Sequence, residues 1–139
     1  MNNSLKVGLD IHGVIDSFPE KFKQLSYALA KDGAEIHIIT GIKRESAIDE
    51  ALAKAGIRFT HYFSIVEHLE GNGETIEWRD GLPYAGENNW NSAKSEYCAK
   101  VGIDFMIDDS PIYLESFHDI DTTYLHVINQ KRKVFEVRR

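Results

Sequence analysis

The chain has 139 residues, 42% of them hydrophobic and 27% charged, a composition typical of a soluble protein with one compact domain. Its 16 basic and 22 acidic side chains give a net charge of −6, which disfavours a general binder of nucleic acid or anionic membrane. One cysteine excludes an intrachain disulfide and no apolar run is long enough to span a membrane, so we expect one cytoplasmic domain over residues 1–139 with no membrane partner.

The chain begins with a predicted strand and helix. Residues 5–9 are a short apolar run that ends at Asp10, which predicts a buried strand followed by a polar loop. Ser17 and Glu20 stand at the spacing of a capping box, and Pro19 occupies the first turn. A helix is therefore predicted to begin there.

A second strand and helix follow in the same order. Residues 36–39 predict a buried strand that ends at Thr40 and Gly41. Over residues 43–55, alanine, isoleucine and leucine recur on one face, which predicts an amphipathic helix.

The region between residues 60 and 90 is less regular. Asn72 and Gly73 favour a positive φ and separate β-like runs at 65–69 and 75–78, so a hairpin is predicted around them. Glycine, proline and asparagine residues then mark a loop. We therefore expect a small hairpin and loop insertion over 60–90.

In the C-terminal part, a helix is predicted over 92–101 with Lys94 in its first turn, and a strand over 103–107 is followed by Asp108 and Asp109. A helical turn over 110–117 and a core strand over 123–127 complete the predicted elements. Strands that alternate with amphipathic helices indicate a mainly parallel sheet covered on both faces, a three-layer α/β/α Rossmann-like fold. Ligands of such folds bind beyond the carboxyl ends of the strands.

Acidic side chains follow two of the predicted strands. Asp10 follows the first, and Asp108 with Asp109 follows the one at 103–107. Three carboxylates at one edge of a sheet repel one another unless a cation or protons relieve them. Mg²⁺ prefers oxygen ligands and takes one or two carboxylates with water and phosphate, so the residues predict a magnesium site. Each aspartate taken alone is equally typical of a helix cap or turn.

Three further residues are candidates for binding a phosphoryl group. A lysine in the first turn of a helix opposes the macrodipole, so Lys94 is easier to explain if an anion faces it. Thr40 offers a hydroxyl and Gly41 a backbone N–H that can approach a phosphoryl oxygen. Taken singly, Lys94 is also typical of a solvated surface and Thr40 of a cap between strand and helix.

In this order the motifs resemble those of the haloacid dehalogenase-like (HAD) superfamily of phosphohydrolases. The residues that carry the resemblance are Asp10-Ile11-His12-Gly13-Val14, Thr40-Gly41, Lys94 and Asp108-Asp109. Each motif is weak alone, whereas four in order cover nearly the whole domain. Receiver domains of two-component signalling use a similar set, but there the acidic pair comes early and the lysine last, which is the reverse of the order here.

The resemblance implies magnesium-dependent hydrolysis of phosphomonoesters through an aspartyl-phosphate on Asp10. It implies that Asp10, Asp108 and the main-chain carbonyl of His12 bind Mg²⁺, and that Asp109 supports the metal or Lys94. It also implies that Lys94 neutralises the developing charge, and that Thr40, Gly41 and Lys94 bind the phosphoryl oxygens.

His12 departs from the family pattern, which usually has an aspartate two residues after the nucleophile to protonate the leaving oxygen and later activate water. An imidazole also transfers protons near neutral pH, so the role can survive the exchange. Three outcomes stay open: a phosphatase that uses His12, a slow enzyme whose phosphoryl-aspartate persists, and a catalytically degenerate domain that only binds or regulates.

The insertion over 60–90 stands where the family places a cap domain and is too short for one. We therefore expect an open site that admits a phosphorylated small molecule or the phosphorylated end of a macromolecule. The candidates for its rim are Tyr84, Asn88, Asn89 and Trp90, although Trp90 and Trp78 are as typical of side chains that cover a sheet edge. A phosphorylated end of a nucleic acid is a weaker alternative for the substrate, because the C-terminal residues include a basic cluster that could bind it. The cluster consists of Lys131, Arg132, Lys133, Arg138 and Arg139.

Overall fold

A sheet of five parallel strands forms the centre of the protein, for which a computed structural model describes residues 4–128. In chain order the strands are β1 (Lys6–Leu9), β2 (Glu35–Thr40), β3 (His61–Ser64), β4 (Glu77–Arg79), β5 (Leu82–Tyr84), β6 (Phe105–Asp108) and β7 (Thr123–His126). The central sheet has the order β3-β2-β1-β6-β7, and each neighbouring pair is parallel. Strands β4 and β5 form a separate antiparallel hairpin.

Helices cover both faces of the sheet. They are α1 (Pro19–Lys31), α2 (Ser46–Lys54), α3 (Ile65–Gly71) and α4 (Glu87–Val101). Alternate residues of β2 point to opposite faces, so Ile36 and Ile38 pack in one core with α1 and α2. Ile39 packs in a second core with α3 and α4. The protein is thus a three-layer α/β/α, Rossmann-like fold, as the alternating pattern predicts.

The strand order reverses between β1 and β6. From β1 the chain runs outward through β2 to β3, then returns across the sheet and continues from β6 to β7. Such a switch point leaves a crevice beyond the carboxyl ends of the two central strands, because the loops that follow them turn away in opposite directions. Asp10 follows β1 and Asp108 ends β6, so both lie at this crevice.

The hairpin predicted around residues 72 and 73 is wrong. Residues 65–69 belong to α3, because Ser64 caps that helix by accepting a hydrogen bond from the N–H of Glu67 (3.1 Å). The chain turns instead at Asp80 and Gly81, whose φ angles of 52° and 77° suit a tight hairpin turn between β4 and β5. The insertion therefore contains a hairpin, placed later in the sequence than expected.

Helix α4 begins at Glu87, earlier than the predicted start at residue 92. The asparagines at residues 88, 89 and 91 favour a loop, but tertiary contacts override this preference. The N–H of Trp90 donates to the carbonyl of Gly86 (2.9 Å), and the indole of Trp90 packs against the core. As a result, Lys94 lies well inside the helix and not in its first turn, so the macrodipole argument does not explain it.

Three smaller differences concern element ends. The predicted capping box of α1 is absent, since Ser17 donates instead to the carboxylate of Asp16 (3.3 Å). Helix α2 begins at Ser46 rather than at residue 43. Strand β7 lies at the edge of the sheet with most of its residues exposed, so it is not a core strand.

None of the helices in the part of the chain described by the structure is long and apolar enough to cross a membrane. The basic cluster near the C-terminus lies outside the described residues.

Candidate functional site

Three carboxylates meet at the crevice between β1 and β6. Carboxylate oxygens of Asp10, Asp108 and Asp109 all lie within 4.8 Å of one another, although the first is far from the other two in sequence. The backbone fixes this arrangement, because the N–H of Asp10 donates to the carbonyl of Ile107 across the strand ends (3.0 Å). The N–H of Ser110 donates to Oδ1 of Asp108 (3.0 Å) and orients that carboxylate.

Lys94 brings a positive charge to this cluster from α4. Its side chain is only 2% exposed, and its Nζ lies 2.7 Å from Oδ2 of Asp108 and 3.4 Å from Oδ1 of Asp10. The ammonium also lies 4.5 Å from the ring centre of Tyr113. A lysine is buried this deeply only when its charge is paired, so Lys94 belongs to the acidic cluster and not to the solvated surface.

Burial and repulsion act together on these groups. Burial raises the pKa of Asp10 well above its ordinary value; Lys94 opposes that rise, while Asp108 and Asp109 add to it. Burial alone would lower the pKa of Lys94, but its attraction to Asp10 and Asp108 outweighs burial and raises that pKa. With all three carboxylates ionised, the cluster carries three negative charges against one positive, a net −2. A divalent cation would balance that charge.

His12 lies in a wide turn directly after Asp10, and this turn is closed by a hydrogen bond from the N–H of Asp16 to the carbonyl of Ile11 (3.0 Å). His12 itself has an extended backbone, with φ −70° and ψ 125°. Gly13 takes a φ of 76°, which lets the chain turn sharply there. The imidazole is buried, and neither ring nitrogen has a hydrogen-bond partner within residues 4–128. A buried nitrogen without a partner is costly, so this ring is suited to contact a ligand or water.

Asp16 is a functional candidate that the sequence analysis misses. Its Oδ2 lies 3.7 Å from Nδ1 of His12, and its Oδ1 accepts a hydrogen bond from the N–H of Gly13 (2.7 Å). The carboxylate is therefore anchored beside the imidazole and can hold its orientation. The pair is not a helical i,i+4 pair, because His12 and Gly13 have non-helical backbone angles, so the four-residue spacing alone could not have identified it.

Thr40 and Gly41 close β2 at the same edge of the sheet. Leu9 pairs with Ile38, so the ends of β1 and β2 lie side by side. Thr40 is fully buried, and its hydroxyl has no hydrogen-bond partner in the described chain. Gly41 lies so close to Trp90 that an added Cβ would be 3.1 Å from its indole. The unsatisfied hydroxyl is a candidate donor to a ligand oxygen, although the side chain must be uncovered before a ligand can reach it.

A cavity of about 390 Å³ adjoins the cluster. Among the predicted site residues, those that line it are Asp10, His12, Gly41, Lys94 and Asp109. Thr40 and Asp108 are fully buried and do not line it. Its volume is in the range typical of small-molecule sites.

The insertion forms one wall of this cavity. Tyr84 and Trp90, two of the predicted rim residues, line it. Asn88 and Asn89 do not, and the amide of Asn89 donates to Glu74 instead (3.2 Å). These asparagines lie on α4 but do not share the face that Glu87, Trp90 and Asn91 present to the cavity.

No family model matches the chain, and no curated protein is significantly similar to it in sequence. The crystal structure of an uncharacterized protein from Corynebacterium glutamicum is similar in fold, with a TM-score of 0.56 and 15% sequence identity. The match covers 95% of this chain and 90% of that chain. At this identity the likeness supports the α/β architecture alone.

Proposed function

We propose that this chain is a magnesium-dependent phosphohydrolase of the haloacid dehalogenase-like type, which cleaves phosphomonoesters through an aspartyl-phosphate on Asp10. The observation that carries the proposal is the buried cluster in which Asp10 and Asp108 share Lys94 at the switch point of a parallel sheet. A carboxylate that attacks a phosphate dianion is repelled by it, so the reaction needs positive charge held between them.

The carboxylates suit a magnesium ion. Their oxygens lie within 4.8 Å of one another, and Mg²⁺ prefers oxygen ligands of this kind together with water and phosphate. We assign the ion to Asp10, Asp108 and the main-chain carbonyl of His12, with Asp109 in support. An ion held there would supply positive charge that favours the ionised form of Asp10 and attracts phosphoryl oxygens.

In the proposed reaction Asp10 attacks phosphorus, the bond from phosphorus to the ester oxygen breaks, and His12 protonates the leaving oxygen. Lys94 offsets the charge that develops on the phosphoryl group. Thr40 and Gly41 bind phosphoryl oxygens, which gives the unsatisfied Thr40 hydroxyl a partner. His12 then takes a proton from the water that hydrolyses the aspartyl-phosphate, and Asp10 is released.

The decisive experiment is release of inorganic phosphate from a broad panel of phosphomonoesters, with Mg²⁺ and with a chelator. We expect release only with the cation, and a loss of at least about 10³-fold in kcat for Asp10→Asn because the nucleophile is removed. Asp119→Asn, an exposed aspartate outside the cavity, is the matched control. Absence of release from every substrate, or equal release by Asp10→Asn, contradicts the proposal.

The role of His12 is tested by varying the leaving group. If its imidazole protonates the leaving oxygen, His12→Ala should lose about 100-fold in kcat/KM with alkyl phosphates, and under about 10-fold with 4-nitrophenyl phosphate, whose leaving group needs no proton. Equal losses with both substrates would show that His12 acts in another way.

A second candidate is a catalytically degenerate domain that binds a phosphorylated partner or regulates it without turnover. The observation in its favour is the histidine at position 12, where the family usually has an aspartate. His12→Asp separates the two candidates: phosphate release that appears only in this variant supports the degenerate domain. A phosphoryl-aspartate that persists on the wild-type chain, detected by mass spectrometry, supports a slow enzyme.

The proposal includes a cytoplasmic location, supported by the lone Cys98, which has no disulfide partner in this chain. It also takes a phosphorylated small molecule as the substrate, in preference to a macromolecular end. The hairpin residues that line the cavity support this choice, because they close one side of it.

A further inference from the structure

Charged and apolar side chains both line the cavity, and we call the two sets its charged end and its apolar end. Asp10, Lys94 and Asp109 form the charged end. The apolar end is built by β5, the start of α4 and the loop after β6, which contribute Leu82, Pro83, Tyr84, Trp90, Ile112 and Tyr113. A ligand whose phosphoryl group occupies the charged end would therefore have apolar side chains available for its remaining atoms.

Two of these side chains are large and apolar, yet exposed. Ile112 is 62% exposed and Tyr84 is 42% exposed. Exposed apolar side chains gathered around a cavity are typical of a binding surface, because a ligand that covers them removes apolar area from water.

The aromatic ring of Tyr113 lies next to the charged end of the cavity. The indole N–H of Trp90 donates to the hydroxyl of Tyr113 (3.1 Å), which fixes the position of that ring. The Lys94 ammonium, which belongs to the charged end, lies 4.5 Å from the centre of the Tyr113 ring. The group attached to a bound phosphate would thus meet an immobilised aromatic surface.

We propose that the alcohol part of the substrate is a compact aromatic group that packs against the apolar end of the cavity. The polar side chains nearby, such as Glu87 and Asn91, are acidic or neutral, and Lys94 is the one lysine or arginine among the described cavity residues. A second anionic group would therefore find no counter-charge among them beyond Lys94, which disfavours a substrate with two anionic groups. This inference rests on the proposed function for the position of the phosphate.

The test compares benzylphosphonate with methylphosphonate, neither of which is hydrolysed, by calorimetric titration of the full chain with Mg²⁺ present. Burial of the additional phenyl ring should make benzylphosphonate bind about 10-fold tighter or more. Ile112→Ser should reduce this ratio to about 3-fold or less, and its exposure means that the variant should still fold. Leu125→Ser, an exposed apolar residue outside the cavity, should keep the wild-type ratio.

Equal affinities of the wild-type chain for the two phosphonates, or a preference that survives Ile112→Ser, overturn the inference and leave the phosphohydrolase intact. A preference for benzylphosphonate without any phosphate release that depends on Asp10 has the opposite meaning: it overturns the hydrolytic function and retains the aromatic site. Failure of both phosphonates to bind counts against both.

Discussion

Lys94 links the stability of the protein to its proposed chemistry. Its ammonium is buried against carboxylates of Asp108 and Asp10, so each of the three side chains depends on the others for its charge. The sequence suggests that this lysine faces a phosphate directly. In the structure it first neutralises the acids that surround the site, and a phosphate would be the next group to share its charge.

Lys94→Met is expected to lower the free energy of unfolding by about 3 kcal/mol without divalent cations, because buried carboxylates lose their partner. Mg²⁺ should restore part of that loss by supplying the missing charge. Urea denaturation with and without Mg²⁺ measures both effects. Lys100→Met, an exposed lysine of the same helix, is the control and should change stability by under about 0.5 kcal/mol. Equal stability of the two variants would show that the cluster does not need Lys94.

The acids of the site can be predicted from the sequence, whereas the surroundings of His12 cannot. Asp10, Thr40 and Asp108 each end an apolar run, and parallel strands bring such ends to one edge of a sheet. The contact between His12 and Asp16 depends on a wide turn with a left-handed glycine, and no short sequence pattern specifies that turn.

Among the elements, the central strand β1 depends on a residue without a side chain. A Cβ added at Gly8 would lie 2.6 Å from Cδ1 of Ile39 and 2.7 Å from Sδ of Met106. Those two side chains come from the strands on either side and pack over β1 in the same core. Glycine at this position therefore lets three strands and their helices pack closely, directly beneath the site.

Gly8→Ala is expected to destabilise the fold by about 1–3 kcal/mol, because Ile39 and Met106 must both shift in a packed core. Gly71→Ala provides the control, since a Cβ there meets nothing within 4 Å. It should change stability by under about 0.5 kcal/mol. The midpoints of urea unfolding compare the variants, and similar midpoints would contradict the close packing described for β1.

The misplaced hairpin shows what a local pattern leaves undecided. Asn72-Gly73 and Asp80-Gly81 are both strong turn signals, and each follows a segment that could form a strand. The choice between them is made by packing, because residues 65–69 bury their apolar side chains in the core as a helix that Ser64 caps. A turn motif in the sequence does not show which of its neighbours will be buried by distant parts of the chain.

At the scale of the whole molecule, the amino edge of the sheet carries its own polar cluster. The buried ring of His37 stacks on His61, with ring centres 4.2 Å apart. Its Nδ1 lies 2.6 Å from the hydroxyl of Tyr97 and its Nε2 lies 2.9 Å from Oε1 of Glu35. These contacts join β2, β3 and α4 at the end of the sheet opposite to the candidate site.

This cluster predicts a loss of stability in acid. Burial lowers the pKa of His37, with contributions from His61 and Lys6, although Glu35 opposes the shift. Below the ordinary histidine pKa of about 6.5, the unfolded chain therefore binds more protons than the folded one, and stability falls as the pH falls. Burial also raises the pKa of Tyr97, so its phenol stays neutral throughout this range.

Urea denaturation between about pH 7.5 and about pH 5 checks this sign, since His37→Gln should flatten the decline. His118→Gln, which alters an exposed histidine, should leave the decline as it is in the wild type. A decline that is equally steep in the wild type and in His37→Gln would show that another group is responsible.

The wide separation of Asp10 and Asp108 along the chain bears on biosynthesis. Asp10 leaves the ribosome before Lys94 and Asp108, which emerge only with α4 and β6. Domains generally fold as units, so the cluster of Asp10, Lys94 and Asp108 assembles only after α4 and β6 have been made. Translation that stops before Phe105 therefore yields fragments without this cluster.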